Sequence, residues 1–449
     1  MRVDPASTTD SEATPDDARR PAPDLSLDWL APEPVDPPLK LDWTDAEERI
    51  LGRDDGCVTK LRGTDVSRRH AALARTDTEF LLLDLGSRNG TRLNGRAIKS
   101  ARLAPGDVIR IGAHVGVVTV SATPFSELGP GLFGGGVLKA ALRELEEAAP
   151  SDLPIVLEGE TGTGKEVVAR CIHAWSGRGG EFVGVNCAAL PENLAEAELF
   201  GYRRGAFTGA ERASLGLLRS ADGGTLLLDE ISDLSLAVQA KLLRALETRE
   251  VLPLGEARPV PVDVRVVAAG QTSLFEAVRE RRFRADLLAR IDGLSVRLPP
   301  LRERREDVLP LFSRLWSEIA AGPLPALDTE FIERLCAHDW PLNVRELVLL
   351  VRRLKVLCAR ETKLRAQHLP GRIGPREEVR PIEAEADAQT APAVRAPGVA
   401  AEVGLSELVV ALRASGGNVA RASELLGISR QRAYRLMEAN AVDIEELRK

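Results

Sequence analysis

Gly159-Glu160-Thr161-Gly162-Thr163-Gly164-Lys165-Glu166 decides how this chain of 449 residues folds. Pro154-Ile155-Val156-Leu157 precedes it and reads as a buried strand. Val167-Val168-Ala169-Arg170-Cys171-Ile172 follows it and reads as a helix. Strand, glycine loop and helix are the setting of a P-loop. The glycines let successive backbone N–H groups turn inward around a polyphosphate, and the helix N-terminus adds positive potential. Lys165 is placed to reach the outer phosphates. A lone G-x-x-x-x-G-K arises by chance; the flanking strand and helix argue against chance here. Glu166 stands where a magnesium-binding hydroxyl is usual.

Downstream, Phe182-Val183-Gly184-Val185-Asn186 reads as a second strand. Thr225-Leu226-Leu227-Leu228-Asp229-Glu230 reads as a third, with the form of a Walker B element. A strand ending at Asp229 sets that carboxylate beside the phosphates, where it holds Mg²⁺, the only metal the sequence implies. Glu230 is then placed to polarise the attacking water. Val262 to Ala269 reads as a fourth strand. Strands alternating with helices predict a parallel α/β sheet.

Outside this core the composition is that of a soluble globular chain. A net charge of −7 gives no global basic field, so nucleic-acid contact must be local. No apolar run reaches the roughly 18 residues that span a bilayer. Met1-Arg2-Val3-Asp4-Pro5 has no apolar signal core. The five cysteines form no C-x-x-C pair, which predicts reduced thiols and a cytoplasmic protein.

Residues 1–36, rich in Pro, Asp, Ala and Thr, read as a disordered tail. Residues 37–122 carry short apolar runs cut by turns at Asn89-Gly90 and Asn94-Gly95, which predicts an all-β sandwich. Its polar clusters are Gly52-Arg53, Ser67-Arg68-Arg69-His70 and Gly86-Ser87-Arg88-Asn89-Gly90-Thr91. With these clusters the segment resembles a forkhead-associated domain, which implies a reader of phosphothreonine peptides. The resemblance places Arg53, Ser67 and Arg68 on the phosphate and Arg88 and Asn89 on the peptide backbone, with His70 bracing the loops. The ligand is a phosphorylated partner or the chain's own tail, marked at Thr8, Thr9 or Thr14.

Residues 123–136 read as a Pro/Gly linker, and apolar residues from Val137 onward recur at helical spacing. Residues 137–300 hold the P-loop core, and 301–372 follow it as a separate segment. Residues 373–404 form a second linker, rich in Pro, Ala and Glu. Residues 405–449 read as three helices: Leu408 and Leu412 face inward on the first, Val419 and Ala422 on the second, and Gly427 makes a turn. Ser429 caps the third helix, which presents Arg430, Gln431, Arg432 and Arg435 to DNA phosphates and base edges. This unit resembles a Fis-type helix-turn-helix and is small enough to predict pairing with a second copy.

Gly205-Ala206-Phe207-Thr208-Gly209-Ala210 is the most specific hexapeptide in the chain. Together with Val185-Asn186-Cys187-Ala188-Ala189-Leu190 and Leu298-Pro299-Pro300-Leu301-Arg302-Glu303-Arg304, it identifies residues from about Gly136 onward as similar to the sigma-54-dependent transcription activators. The Glu166 form of the P-loop belongs to that pattern too. The resemblance implies a ring-forming AAA+ ATPase, a hexamer with its core at 137–300 and a helical lid at 301–372, that uses ATP and Mg²⁺ to remodel the sigma-54 RNA polymerase closed complex at upstream DNA sites. It places the hexapeptide on sigma-54, Asn186 against Glu230 and Arg345 on nucleotide in the same subunit. Arg284 and Arg290 would enter the neighbour's site. The chain departs from the pattern at Gly270-Gln271, usually Thr-Asn, which predicts a weakened first sensor. It departs again at Leu342, usually Gly, and it lacks an acidic receiver domain. The rival reading is therefore a phosphopeptide- and DNA-binding regulator with a weak or inert ATPase.

Overall fold

Every second residue of Leu25–Ala31 is apolar, and Leu25, Leu27 and Trp29 all point into the space between two sheets. In the computed structural model this segment is the first strand, β1, of the N-terminal sandwich. The structure describes residues 25–34, 38–42, 48–75, 79–120, 123–207, 210–320, 322–375, 405–415, 417–440 and 442. The sandwich continues with β2 (Leu39–Leu41), β3 (Arg49–Gly52), β4 (Thr59–Lys60), β5 (Ala71–Arg75) and β6 (Phe80–Asp84). It closes with β7 (Thr91–Leu93), β8 (Arg96–Ile98), β9 (Ser100–Leu103), β10 (Val108–Ile111) and β11 (His114–Thr119). One sheet runs β2-β1-β11-β10-β7-β8, the other β4-β3-β5-β6-β9. A tail running to residue 36 is thus corrected: the alternation in Leu25-Ser26-Leu27-Asp28-Trp29 builds a strand paired with β11. Gly116 sits opposite Trp29, where a Cβ would come within 2.9 Å of the indole.

The expected linker at 123–136 is also corrected. It holds a hairpin, β12 (Ser126–Gly129) and β13 (Leu132–Gly134), and the start of α1 (Gly136–Ala148). Phe125 stacks on Phe133 at 6.3 Å, and Gly129 lies against Trp175 and Cys171. These apolar contacts order a stretch whose glycines alone suggest a loop.

The central sheet contains β14 (Ile155–Glu158), β15 (Phe182–Asn186), β16 (Thr225–Asp229), a short hairpin of β17 (Glu250–Val251) and β18 (Val260–Pro261) beside it, then β19 (Arg265–Gly270) and β20 (Leu294–Arg297). Its order is β15-β16-β19-β14-β20, and every pair is parallel. All four expected strands are present, and β20 is a fifth. Interleaved are α2 (Lys165–Ser176), α3 (Glu192–Phe200), α4 (Leu217–Ser220), α5 (Leu236–Thr248), α6 (Leu274–Arg279) and α7 (Ala285–Ile291). Leu157, Val267 and Val168 pack on one face of the sheet, and Leu226, Leu228 and Leu242 on the other.

The lid comprises α8 (Val308–Ala320), α9 (Thr329–Ala337) and α10 (Asn343–Leu357), with a two-stranded pair, β21 (Ala326–Leu327) and β22 (Lys363–Leu364). Phe312, Phe331, Trp340 and Leu347 make its core. The C-terminal unit is α11 (Leu405–Ala414), α12 (Val419–Leu425) and α13 (Arg430–Ala439), packed on Leu408, Leu412, Ala422, Ala433 and Met437. The Asn418 side chain accepts from the N–H groups of Ala420 and Arg421, and the Ser429 hydroxyl from Arg432 N–H, capping α12 and α13. Val410 of α11 lies on Ala72, Ala74, Leu83 and Leu85 of the sandwich, and Arg421 donates to the Leu85 carbonyl at 2.8 Å. Among the described residues no helix is long and apolar enough to cross a membrane.

Candidate functional site

The glycine loop leaves the C-terminal end of β14, and Asp229 and Glu230 leave the same end of β16, with β19 between the two strands. Gly162 and Gly164 take positive φ (79° and 105°), which curls the loop before α2. Thr163 closes it by donating to the Glu160 carbonyl at 2.8 Å. Lys165 is only 8% exposed and its ammonium donates to the Gly159 carbonyl at 2.7 Å. Its Nζ is 3.9 Å from Glu230 Oε1. Burial pushes the Lys165 pKa down, while Glu230 and Asp229 pull it back up. Burial also raises the Asp229 carboxyl, and its Oδ1 is buried with no hydrogen-bond partner.

Glu230 adopts the left-handed region at φ 53°, uncommon for a side-chain-bearing residue. Its carboxylate is held by Gln271, through Nε2 at 3.1 Å and the backbone N–H at 3.3 Å. This differs from the expected Asn186 contact. Asn186 ends β15 in register with Asp229, but among the described residues its side chain makes no bond to Glu230. The longer Gln271 side chain crosses that gap, so the departure at this position brings the amide to Glu230 rather than withdrawing it. The Glu166 carboxylate pairs with Arg170 one turn along α2 at 2.8 Å, away from the loop.

The lid grips the loop with residues that the sequence motifs contain but do not single out. Asn343, fully buried at φ 52°, accepts from Leu301 N–H at 2.7 Å and donates to the Thr161 carbonyl at 3.0 Å. Val344 N–H donates to the Gly162 carbonyl, and a Cβ on Gly162 would stand 2.2 Å from the Leu342 oxygen. Leu342 itself fits because its φ is −107° and its side chain is exposed, so the turn does not call for glycine there. Arg302 clasps Glu160 with two bonds of 2.8 and 2.6 Å, holding that carboxyl below its ordinary range. Arg345 is exposed beside Gly162.

Arg284 and Arg290 sit apart from their own loop. Arg284 pairs with Asp286 at 2.6 Å. Arg290 donates to the Leu246 carbonyl at 2.9 Å and lines a cleft with Pro154 and Arg265, at the N-terminal end of the strands. The hexapeptide lies in an excursion between α3 and α4. Gly201 and Gly216 close its neck: a Cβ on Gly216 would meet Gly201 N at 2.3 Å. Gly205 N–H donates to the Ala210 carbonyl, and Phe207, 36% exposed, packs edge-on to Tyr202 at 5.0 Å. Thr208 and Gly209 lie outside the described residues.

On the sandwich, Arg53, Arg68 and Arg88 are exposed on neighbouring loops. Arg53 N–H donates to the Ser67 carbonyl at 3.1 Å, and Arg88 N–H to the Ser67 hydroxyl at 3.2 Å. His70, fully buried, accepts from Ser67 N–H and reaches the Gly90 carbonyl at 3.2 Å. Burial lowers its pKa and keeps it neutral. Asn89 donates to the Asp65 carbonyl at 2.7 Å, so one of its amide protons is committed within the domain. Burial opposes ionisation of Asp84, but hydrogen bonds from Ser87 and Thr91 outweigh it and hold this brace of the third loop below its usual pKa. On α13, Arg430, Gln431 and Arg435 are exposed and Arg432 is half-buried.

A phosphate loop, a strand-end Asp-Glu pair and a helical lid on this parallel sheet define an AAA+ ATPase. Models of four families match the chain in succession: FHA domain at 49–112, Sigma-54 interaction domain at 134–297, AAA+ ATPase lid domain at 302–386, and bacterial regulatory protein, Fis family, at 402–436. The transcriptional regulatory protein FlbD of Caulobacter vibrioides is 39% identical over 335 residues, 72% of each chain. The transcriptional regulatory protein ZraR of Salmonella typhi is 38% identical over 317 residues, 70% of this chain and 68% of that one. The crystal structure of NtrX from Brucella abortus in complex with ATP aligns at 30% identity with a TM-score of 0.50, covering 70% of each chain. The chain belongs to the sigma-54-dependent transcription activators, with an N-terminal forkhead-associated domain and a C-terminal Fis-type helix-turn-helix.

Proposed function

We propose that this activator cleaves ATP between adjacent copies in a ring and uses the cycle to move the Phe207 loop against sigma-54, opening promoter DNA. One observation carries the reading: α3, which leads into the loop, follows within a few residues of the end of β15 that presents Asn186, in register with Asp229. A shift at the phosphates has a short rigid route to the hexapeptide.

Within this reading the backbone of Gly159 to Glu166 and Lys165 bind the phosphates, and Arg345 closes from the lid. Mg²⁺ fits the orphaned Asp229 oxygen, since that hard ion binds through one or two carboxylates plus phosphate oxygens. When bound it supplies charge neutralisation on the phosphates. Glu230 accepts the proton of the attacking water. Arg284 and Arg290, remote from their own loop, complete the neighbour's site. Arg53, Ser67 and Arg68 receive a phosphothreonine, and Arg430, Gln431, Arg432 and Arg435 meet upstream DNA. The test is open-complex formation with sigma-54 polymerase. Phe207→Ala keeps ATP turnover within about twofold of wild type and loses promoter opening; retained opening removes the loop from the mechanism.

Gln271 holds Glu230 without touching the phosphate loop, so its effect belongs in turnover. Gln271→Ala is expected to lower kcat roughly tenfold with KM for ATP nearly unchanged. Steady-state kinetics read the split, and Gln271→Asn, which keeps the amide, recovers part of the loss. A rise in KM alone would assign Gln271 to binding instead.

A further inference from the structure

We infer that the outer face of the forkhead-associated sandwich is a docking surface for the lid of the same chain, and that residues 302–307 couple this docking to the grip of the P-loop on nucleotide. The inference stands apart from phosphopeptide and sigma-54 recognition and needs neither.

The strand β11 is apolar on both faces, which marks a strand covered on both sides. Val118 and the Gly116 position face the interior of the sandwich. Val115 and Val117, with Val108 and Ala31, face outward and share one core with Phe312, Phe331 and Leu335 of the lid. A polar pin fixes the register: Arg110 of β10 pairs at 2.7 Å with Glu333 of α9, whose side chain is 3% exposed. A carboxylate so buried requires its cation, so this contact belongs to the fold of the chain rather than to a passing encounter.

The stretch Arg302 to Asp307 lies between this interface and the nucleotide loop, wound into two short 3₁₀ turns. Its side chains reach both ways. Arg302 clasps Glu160, and Arg304 donates to the Thr163 carbonyl at 3.2 Å. Arg305 donates to the Gly106 carbonyl of the sandwich at 3.1 Å, and Glu306 accepts from Thr119 of β11 at 3.2 Å. Asp307 accepts from Gly135 N–H at 2.7 Å, tying in the hairpin that joins the two domains. Within six consecutive residues, Arg302 and Arg304 thus bond to the P-loop and Arg305 and Glu306 to the sandwich. Displacing the sandwich must move Arg302 and Arg304, and by reciprocity filling the P-loop must change how the sandwich is held.

The test uses the full-length protein, a fluorescent ATP analogue and amide hydrogen exchange. Val117→Asp places a charge on the outward face and leaves the interior of the sandwich untouched. It is expected to raise exchange along 106–119 and α9 and to change the dissociation constant for the analogue at least about threefold. In wild type, saturating non-hydrolysable ATP changes exchange at 106–119. If Val117→Asp fails to fold, Arg110→Ala loosens the same interface by removing the pin. Release of the sandwich with an unchanged dissociation constant overturns the coupling. So does an exchange pattern at 106–119 that ignores nucleotide. An effect that appears only at protein concentrations where copies associate assigns the surface to a neighbour's lid and overturns the same-chain docking.

Discussion

Glu230→Gln is expected to bind ATP as wild type does and to hydrolyse it at least ~100-fold more slowly. The substitution preserves shape. Its side-chain oxygen still accepts from Gln271, which lies 3.1 Å from Glu230 Oε1, so the strained φ 53° backbone keeps its tether. What it loses is the negative charge and the ability to take a proton from water. Binding rests elsewhere, on loop N–H groups and on Lys165, whose ammonium is already anchored by the Gly159 carbonyl. Lys165→Ala separates the two functions from the other side: it removes the buried cation that faces the phosphates, so binding itself collapses. Fluorescent-nucleotide titration and phosphate release, run on both variants, check the pair. Turnover of Glu230→Gln within about tenfold of wild type would take the proton-acceptor role from Glu230. That outcome would leave it as a positioning group held by Gln271.

The parts of this site that were legible in the sequence are those whose chemistry is local. A glycine loop between a strand and a helix, or four apolar residues ending in Asp229-Glu230, carries its own geometry. The parts that escaped depend on distant segments meeting. Gln271 reads as a damaged sensor until β19 is seen to deliver it against Glu230. Asn343 reads as one letter of a helix start until it is found buried against Thr161 and Leu301. The strand β1 was hidden by its neighbours: the Pro- and Asp-rich sequence before it suggested a tail, although Leu25, Leu27 and Trp29 already alternated. His114-Val115-Gly116-Val117-Val118-Thr119 gave a further signal. A sandwich strand with one face in water alternates polar and apolar residues. This one does not, because the lid covers its outer face.

The same dependence on distant partners sets the second large effect, Arg304→Ala, which is expected to cost about 3–5 kcal/mol of stability near neutral pH. Arg304 is 1% exposed and lies 3.8 Å from Asp307. Burial raises Glu306 to about 7 and Asp307 to about 6, against the Arg304 charge and the Gly135 N–H bond, which both pull Asp307 back down. The sign follows from those directions. Both folded-state values lie above their ordinary ones, so the native state holds these protons more tightly than the unfolded chain. The stability this brings is present below the ordinary carboxylate range and is lost as pH rises through about 6 to 7. Removing Arg304 leaves Asp307 without its compensating cation and raises it further. The cost is therefore greatest at pH 8, where two buried carboxyls must ionise or hold protons against solvent, and smallest at pH 5, where they are neutral in either protein. Chemical denaturation of wild type and Arg304→Ala at both pH values reads the difference. An equal loss at pH 5 and pH 8 would assign the Arg304 contribution to packing and to its Thr163 bond, not to charge. Arg304→Lys tells these apart further, since it restores the charge without the planar fork that reaches the Thr163 carbonyl.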